Sequence, residues 1–182
     1  MLLKNDIILK DNPDIRRTAI EVKTPISEDI LNTLKEMVIY LENSQDEELC
    51  EKYGLSPGVG LAAPQIDVNL RMFALFVDEG DDNILKCGII NPKIIAKSIQ
   101  MTYLEGGEGC LSIPDTRGVV LRHNRIKFKA FFYDYHTNTL EEKTMTLTGY
   151  KAIVFQHEYD HLDGILFTDK ITEDIRGAKP CF

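Results

Sequence analysis

Apolar and polar positions near the start of the chain follow the period of an amphipathic helix. Apolar side chains recur three or four residues apart at Ile30, Leu31, Leu34, Met37, Val38 and Leu41. Positions with this spacing lie on one face of a helix. Ser27 stands at the expected N-cap, and the acidic residues Glu28 and Asp29 suit the first turn. The pattern therefore predicts one long helix over residues 26–51.

The middle of the chain shows the patterns of strands. After an irregular segment rich in glycine and proline, strand-like apolar runs occupy residues 70–77, 84–90 and 94–101. The Asn91-Pro92 pair is expected to break the chain between the last two runs. Three separate strands are therefore predicted in this region.

A hairpin and a second helix are predicted in the last third of the chain. The segment RIKFKAFFYDY, from Arg125, alternates so that Ile126, Phe128, Ala130 and Phe132 face one way. A turn at 136–138 and a return strand around 144–147 complete the hairpin. From Gly149 the period becomes helical, with Gly164 as the expected C-terminal cap. Because strands and helices do not alternate regularly, the pattern predicts an α+β fold with antiparallel sheets.

Length and charge limit the classes of function. The 182 residues predict a single domain over residues 1–182, and 21 basic against 29 acidic residues give a net charge of -8, which argues against a general nucleic-acid binder. No apolar run reaches the length of a membrane span. The early charges in MLLKNDIILKDNPD are unlike a signal peptide, so a cytoplasmic protein is expected. The four cysteines form no CxxC pair and are expected as thiols.

The stretch GVGLAAPQ, residues 58–65, has the glycine spacing of a dinucleotide-binding turn. Asp78 even follows Gly58 by 20 residues, where such a fold places an acid for the ribose. That motif must follow a strand and open a helix, whereas the polar segment DEELCEKYGLSP precedes it here. Pro64 would fall in the first turns of the required helix, and a strand is predicted from Leu70. We therefore reject the nucleotide interpretation.

The strongest chemical signal is HEYDH, residues 157–161. Residues four apart lie on one helical face, so His157 and His161 can reach a single metal ion. Glu158 lies about 100° around the helix, where it can reach a water on that ion without binding the ion itself. The alternative is a surface helix with two solvated histidines, but the apolar residues 152–155 predict a buried helix, where unpaired histidines would be costly.

A catalytic metal site needs a third protein ligand and an open position. The only glutamate downstream is Glu173, and no further histidine follows His161. Upstream, Cys110 lies in EGCLS just after the flexible segment EGG, where the backbone can approach closely. A small buried thiol is the ordinary interpretation of such a cysteine.

The three motifs GVGLAAPQ, EGCLS and QHEYDHLDG, in this order, resemble those of peptide deformylases. The segment RHNRIKFKAF also agrees, and the longer lead-in YGLSPGVGLAAPQI resembles the type 2 branch. The resemblance covers nearly the whole chain, from DNPDIR to the end of the last helix. It implies antiparallel sheets around a central helix that carries HExxH, with a long N-terminal helix. It also implies that the glycine-rich loop binds peptide.

The resemblance assigns a role to each candidate residue. It implies that Cys110, His157 and His161 bind the metal and that Glu158 is the general acid/base. It implies that the Gln65 side-chain amide and the Leu111 backbone N–H stabilise the oxyanion. The expected substrate-binding residues are Val59, Gly60, Glu108, Tyr150, Ile153 and Val154. Of these, Tyr150, Ile153 and Val154 also precede His157 at spacings that place them on its face of the helix.

The implied reaction is the hydrolysis of the N-formyl group from the first methionine of newly synthesised polypeptides, by a water that the metal activates. Fe²⁺ is the expected native metal, and Zn²⁺, Ni²⁺ and Co²⁺ are expected substitutes. The implied partners are nascent N-formylmethionyl peptides. A transient contact with the ribosome is compatible with this role, and a monomer is expected. Some relatives dock on the ribosome through a C-terminal helix, which we do not carry over because 18 residues follow Gly164.

Two other functions remain open from the sequence. A zinc endopeptidase could also use HExxH, and it would cleave internal bonds of unformylated peptides. A structural metal-binding module could use the same ligands, but Glu158 would be idle in such a site.

Overall fold

The computed structural model describes residues 1–81 and 83–182. Within them the α-helices are α1 (Glu28–Gln45), α2 (Glu47–Tyr53) and α3 (Gly149–Leu162). The strands are β1 (Gly60–Ala62), β2 (Met72–Asp78), β3 (Ile84–Lys97), β4 (Met101–Tyr103), β5 (Glu108–Cys110), β6 (Ile113–Gly118), β7 (Arg122–His123), β8 (Arg125–Asp134), β9 (Thr139–Thr148) and β10 (Lys179–Pro180). Short 3-10 turns join several of these elements. The predicted α+β fold is confirmed.

The largest sheet has the strand order β1-β2-β3-β8-β9, and all its neighbouring strands are antiparallel. Strand β4 lies between β10, to which it is parallel, and β7, to which it is antiparallel. Strands β5 and β6 form a separate antiparallel pair. The short strand β1 is at an edge of the large sheet, so one side of its backbone is not paired within that sheet.

The large sheet is covered on both faces, which explains the nearly continuous apolar run in β2. Phe73 and Leu75 belong to the core shared with α3, whereas Met72 and Ala74 belong to the core shared with α1. Alternate residues of a strand point to opposite faces of a sheet. Both faces of β2 are therefore buried, and the sheet holds α1 and α3 on opposite sides.

The predicted hairpin is confirmed as β8 and β9, and the return strand is longer than expected. The apolar residues of β8 that alternate in the sequence are all buried beneath α3. The Phe128 ring lies 4.0 Å from the ring of Phe155 on α3, measured between centroids. The Phe73 ring on β2 also packs against Phe155, with 5.2 Å between the two ring centroids. Burying one such aromatic side chain contributes about 1.5–3 kcal/mol, so these contacts fix α3 against the sheet.

Two predicted boundaries differ from the structure. The single helix expected over residues 26–51 is interrupted at Asp46, whose backbone is extended and whose carboxylate accepts the Leu49 N–H. Asp46 thus ends α1 and caps α2. The break expected at Asn91-Pro92 is instead a register shift within the single strand β3. Asn91 adopts a positive φ of 49°, and its side chain bonds both backbone groups of Val22.

Helix α3 is largely buried, as its apolar residues predict. It begins after Thr148 and ends at Leu162, and Gly164 follows with a φ of +69°. A Cβ atom at Gly164 would lie 2.2 Å from the backbone oxygen of Arg16, so the chain can pass there only with glycine. The predicted start and cap of this helix are confirmed. No helix among the described residues is long and apolar enough to cross a membrane.

Candidate active site

Helix α3 passes the end of β5, and this brings together residues that are distant in the sequence. Cys110, His157 and His161 offer ligand atoms that all lie within 4.8 Å of one another. The Cys110 Sγ atom is 3.4 Å from Nε2 of His161. The two imidazole rings face the same region, with centroids 5.1 Å apart. The structure therefore brings together the three residues expected to bind metal.

The chemistry and spacing of these three residues fit a divalent transition metal. Sulfur and nitrogen ligands on a tetrahedral zinc ion would lie about 3.6 Å apart at ordinary bond lengths, which is close to the observed 3.4 Å. Burial and the charges of His157 and Arg122 hold the pKa of His161 well below its usual range. A neutral imidazole has the free electron pair that a metal ligand needs. One thiolate and two imidazoles suit Zn²⁺ or Fe²⁺.

His157 is oriented by a buried carboxylate. Its Nδ1 atom lies 2.8 Å from Oε2 of Glu108, which leaves Nε2 free for a metal ion. Burial lowers the pKa of His157, but hydrogen bonds with Cys110 and Glu108 and the charge of Glu158 raise it to about 10. These partners therefore favour an additional proton on the His157 imidazole. A metal at this position would displace that proton, as metal binding to protein ligands generally does.

Glu108 is itself held by Arg122 in an ion-pair network. The Arg122 guanidinium donates to both Glu108 oxygens, at 2.7 and 2.8 Å, and also to Asp160. Arg122 is only 3% exposed. Lys170 reaches both oxygens of Asp160 at 2.7 Å. Burial raises the pKa of Glu108, but the hydrogen bonds from Arg122 and His157 lower it to about 2, so the carboxylate stays charged.

The network changes how one expected residue must be interpreted. Glu108 was expected among the substrate-binding residues, and it does line the cavity described below. Both of its carboxylate oxygens are engaged by Arg122 and His157, so its side chain orients His157. Only its backbone remains for a substrate. Sequence reasoning missed Arg122 and Asp160, although a lone arginine after the apolar residues 119–121 was a usable signal.

Glu158 follows His157 on α3, beside the candidate metal ligands, and is 4% exposed. Its Oε2 atom is buried and has no hydrogen-bond partner among the described residues. Burial raises the pKa of Glu158, and so does the charge of Glu108, while His157 and Arg122 oppose them, which leaves it at about 7. A carboxylate with this pKa can both take up and release a proton near neutral pH.

Gln65 lies on the other side of Cys110. Its Oε1 atom accepts the backbone N–H of Ala62 at 2.8 Å, which fixes the orientation of the amide. Its Nε2 atom then points to Ser112 Oγ at 3.1 Å and to Cys110 Sγ at 3.5 Å. The amide donor is therefore directed toward Cys110.

The glycine-rich loop borders the same site. Its chain comes from α2 and enters β1, the reverse of the strand-then-helix order of a dinucleotide site, so the rejection of that interpretation is confirmed. Gly60 passes so close to α3 that a Cβ atom there would lie 2.4 Å from Oε1 of Glu158. Glycine at this position thus lets the β1 backbone contact Glu158.

These residues line one cavity of about 900 Å³. It is within the usual size range of small-molecule sites, about 300–1,000 Å³. Its walls include every expected site residue except His161, which lies behind Cys110. Leu111 is on the β5 side, Val59 is on the β1 side, and Tyr150, Ile153 and Val154 form an apolar wall on α3.

Comparison with known proteins agrees with these observations. The family model described as "Polypeptide deformylase" matches residues 4–176. The chain is similar to "Peptide deformylase 2" of Bacillus cereus, with 46% identity over 181 residues, which is 99% of this chain and 96% of that protein. It is also similar to "Peptide deformylase" of Lactiplantibacillus plantarum, with 48% identity over 178 residues, which is 96% of this chain and 93% of that protein.

Solved structures show the same likeness in three dimensions. The crystal structure of a peptide deformylase from Thermotoga maritima has a TM-score of 0.68 and 33% identity, and the match covers 91% of this chain and 96% of that one. A probable peptide deformylase from Synechococcus phage S-SSM7 has a TM-score of 0.72 and 30% identity, covering 91% and 98% of the two chains.

Proposed function

The chain belongs to the polypeptide deformylase family and is an enzyme of that family, and from this premise we propose that it hydrolyses the N-formyl group of the first methionine of nascent polypeptides. The products are formate and a free amino terminus. The observation that supports the proposal best is the pairing of the Cys110, His157 and His161 cluster with the buried, unpartnered Glu158 oxygen, in one cavity.

The peptide binds in an extended form along β1. The Val59 carbonyl accepts the Phe76 N–H at 2.9 Å, so residues 59 and 76 form a hydrogen-bonded pair of the antiparallel ladder. In such a ladder the next residue directs its N–H and C=O away from the partner strand. Gly60 therefore presents both backbone groups on the free side of β1. An added strand can pair with them, as in other cases of peptide binding at a sheet edge.

Cys110, His157 and His161 hold a divalent metal, with Fe²⁺ proposed as the native ion and Zn²⁺, Ni²⁺ or Co²⁺ as substitutes. Such an ion supplies Lewis-acid chemistry: it acidifies a bound water and polarises a carbonyl oxygen. Glu108 keeps the free nitrogen of His157 directed to the ion, because it accepts the hydrogen bond from Nδ1.

Glu158 moves the protons of the reaction. Its Oε2 atom takes a proton from the attacking water and later gives it to the leaving amine. A pKa of about 7 makes both transfers accessible at neutral pH. Gln65 Nε2 and the Leu111 N–H donate hydrogen bonds to the oxygen on which negative charge develops. Losing one such donor typically costs about 2.7–4 kcal/mol of transition-state stabilisation.

The apolar wall of Tyr150, Ile153 and Val154, opposite Val59, receives the methionine side chain. A flexible thioether fills an irregular apolar slot well, whereas a carboxylate there would be desolvated without a partner. The enzyme should therefore favour formyl-Met over formyl-Glu peptides.

The proposed setting is the cytoplasm, where nascent chains are made. We expect the enzyme to act as a monomer. We also expect no direct nucleic-acid binding, because the chain carries a net charge of -8. A transient contact with the ribosome would bring it close to its substrates.

Formate release from formyl-Met-Ala-Ser, measured with anaerobically purified protein, tests the proposed function. We expect one formate and one free amino terminus per peptide, with the internal bonds intact. Cleavage of internal bonds in a longer unformylated peptide would instead indicate an endopeptidase. Bound metal without hydrolysis of either peptide would indicate a structural module.

A further inference from the structure

The segment before β1 is tied to the end of helix α1 by side-chain hydrogen bonds. The Tyr40 hydroxyl donates to the Ser56 carbonyl and accepts the Ser56 N–H, both at 3.3 Å. The Ser44 hydroxyl oxygen, on a residue that is 2% exposed, accepts the Gly58 N–H at 3.2 Å. Ser56 and Gly58 are therefore both attached to helix α1.

Gln45, the last residue of α1, joins this segment to the sheet. Its Nε2 atom donates to the Gly58 carbonyl at 2.9 Å and to the Phe76 carbonyl at 2.8 Å. An amide nitrogen carries two N–H donors, so both are used. The side chain thus bridges the glycine-rich segment and β2 just beyond the hydrogen bond between Val59 and Phe76. Gln45 also lines the cavity at its outer end.

The Gln45 side chain lies where it can set the geometry of the β1 edge that is proposed to bind substrate. Gly58 lies two residues before Gly60, the residue whose free N–H and C=O face an added strand. The other end of this short segment is held in the sheet, because Gly60 pairs with Leu75 of β2. Without the Gln45 bridge, the Gly58 carbonyl would lose its connection to β2, and a segment with two glycines gains conformational freedom readily.

We infer that Gln45 is a positioning residue for peptide binding: it holds Gly58 to Gly60 in the conformation that receives an extended substrate. This inference rests on the proposed function. Gln45 acts through the loop, since its two hydrogen bonds go to backbone carbonyls and not to the metal-binding residues. Its loss should therefore weaken substrate binding and leave the chemical step largely intact.

Two substitutions separate the donor function from the volume of the side chain. Gln45→Ala removes both hydrogen bonds. Gln45→Glu keeps the shape but places a carboxylate, which has no donor, against two carbonyl oxygens. Asn43→Ala is the matched control, because Asn43 is on the same helix and its side chain makes no hydrogen bond to any described residue. Net hydrogen bonds of this kind contribute about 0.5–1.5 kcal/mol each, which corresponds to a rise in KM of about 2- to 13-fold for each bond lost.

The experiment measures kcat and KM for formate release from formyl-Met-Ala-Ser, together with amide hydrogen exchange of residues 56–60. We expect KM to rise in Gln45→Ala, and at least as much in Gln45→Glu, with kcat little changed and metal content equal to wild type. Exchange at Gly58, whose N–H is bonded to Ser44, should accelerate in both variants, while Phe73 in β2 and the Asn43→Ala protein should match wild type.

An unchanged KM in both variants, a fall in kcat with unchanged KM, or unchanged exchange at Gly58 would overturn the inference. Failure of the wild-type protein to release formate would contradict the proposed function instead. The exchange measurement needs no substrate, so it tests the positioning by Gln45 in either case.

Discussion

Replacing Arg122 by methionine should destabilise the protein strongly, because it removes one side of a buried ion pair. Arg122 and Glu108 are 3% and 4% exposed, and the guanidinium bonds both oxygens of the carboxylate. In Arg122→Met, Glu108 would keep only His157, and Asp160 would keep only Lys170. Breaking a buried pair by removing one partner typically costs about 3–5 kcal/mol. A protein of this size loses about 2–4 °C in Tm per kcal/mol.

Thermal unfolding of the metal-loaded proteins measures this cost, with a Tm decrease of about 6–20 °C expected for Arg122→Met. Arg125→Met is the matched control, since Arg125 is exposed on β8, and it should change stability by no more than about 0.5 kcal/mol. The double variant Arg122→Met/Glu108→Gln should be more stable than Arg122→Met, because it removes the uncompensated charge. A Tm decrease in Arg122→Met equal to that of Arg125→Met would refute the reasoning.

Three further variants test the site. Cys110→Ala should lose most of its bound metal in elemental analysis. Cys87→Ala, which alters a buried thiol of the core, should keep its metal. Full metal occupancy in Cys110→Ala would show that Cys110 is not a metal ligand. Gly60→Ala should lower kcat about 100-fold, because its Cβ atom would lie 2.4 Å from the Glu158 carboxylate and small displacements of catalytic groups can cost that much. Gly106→Ala, with open space around it, should match wild type, and normal activity in Gly60→Ala would mean that Glu158 can move freely. Val154→Phe should depress kcat/KM for formyl-Met peptides and spare formyl-Ala peptides, and equal losses for both would contradict the assignment of the apolar wall.

The elements that the sequence predicted well are those whose signal is local. The alternation in β8 and the two histidines four residues apart on α3 depend only on the geometry of one strand or one helix. The break at Asp46 also had a local signal, since an aspartate before Glu47 and Glu48 is a typical helix start. The apolar spacing taken alone nevertheless predicts a single helix through this position.

The missed features depend on contacts between distant segments. Arg122 and Asp160 are 38 residues apart in the chain, and only the packing of α3 beside β7 brings them together. The continuation of β3 through Asn91 likewise depends on the bonds of that side chain to Val22, 69 residues away in sequence. Glu108 could be placed near the site by its motif, but its orientation toward His157 follows from the position of Arg122.

The measurement that tests the catalytic account most directly is made on Glu158→Gln. The metal content and the kcat/KM for formate release from formyl-Met-Ala-Ser should be determined on the same preparation as wild type. The substitution keeps the size of the side chain and removes its ability to take up a proton. We expect full metal content with activity lower by about 10²–10⁴-fold, as for the loss of a general acid/base. Activity close to wild type, or loss of the metal together with the activity, would contradict the role of Glu158 in proton transfer.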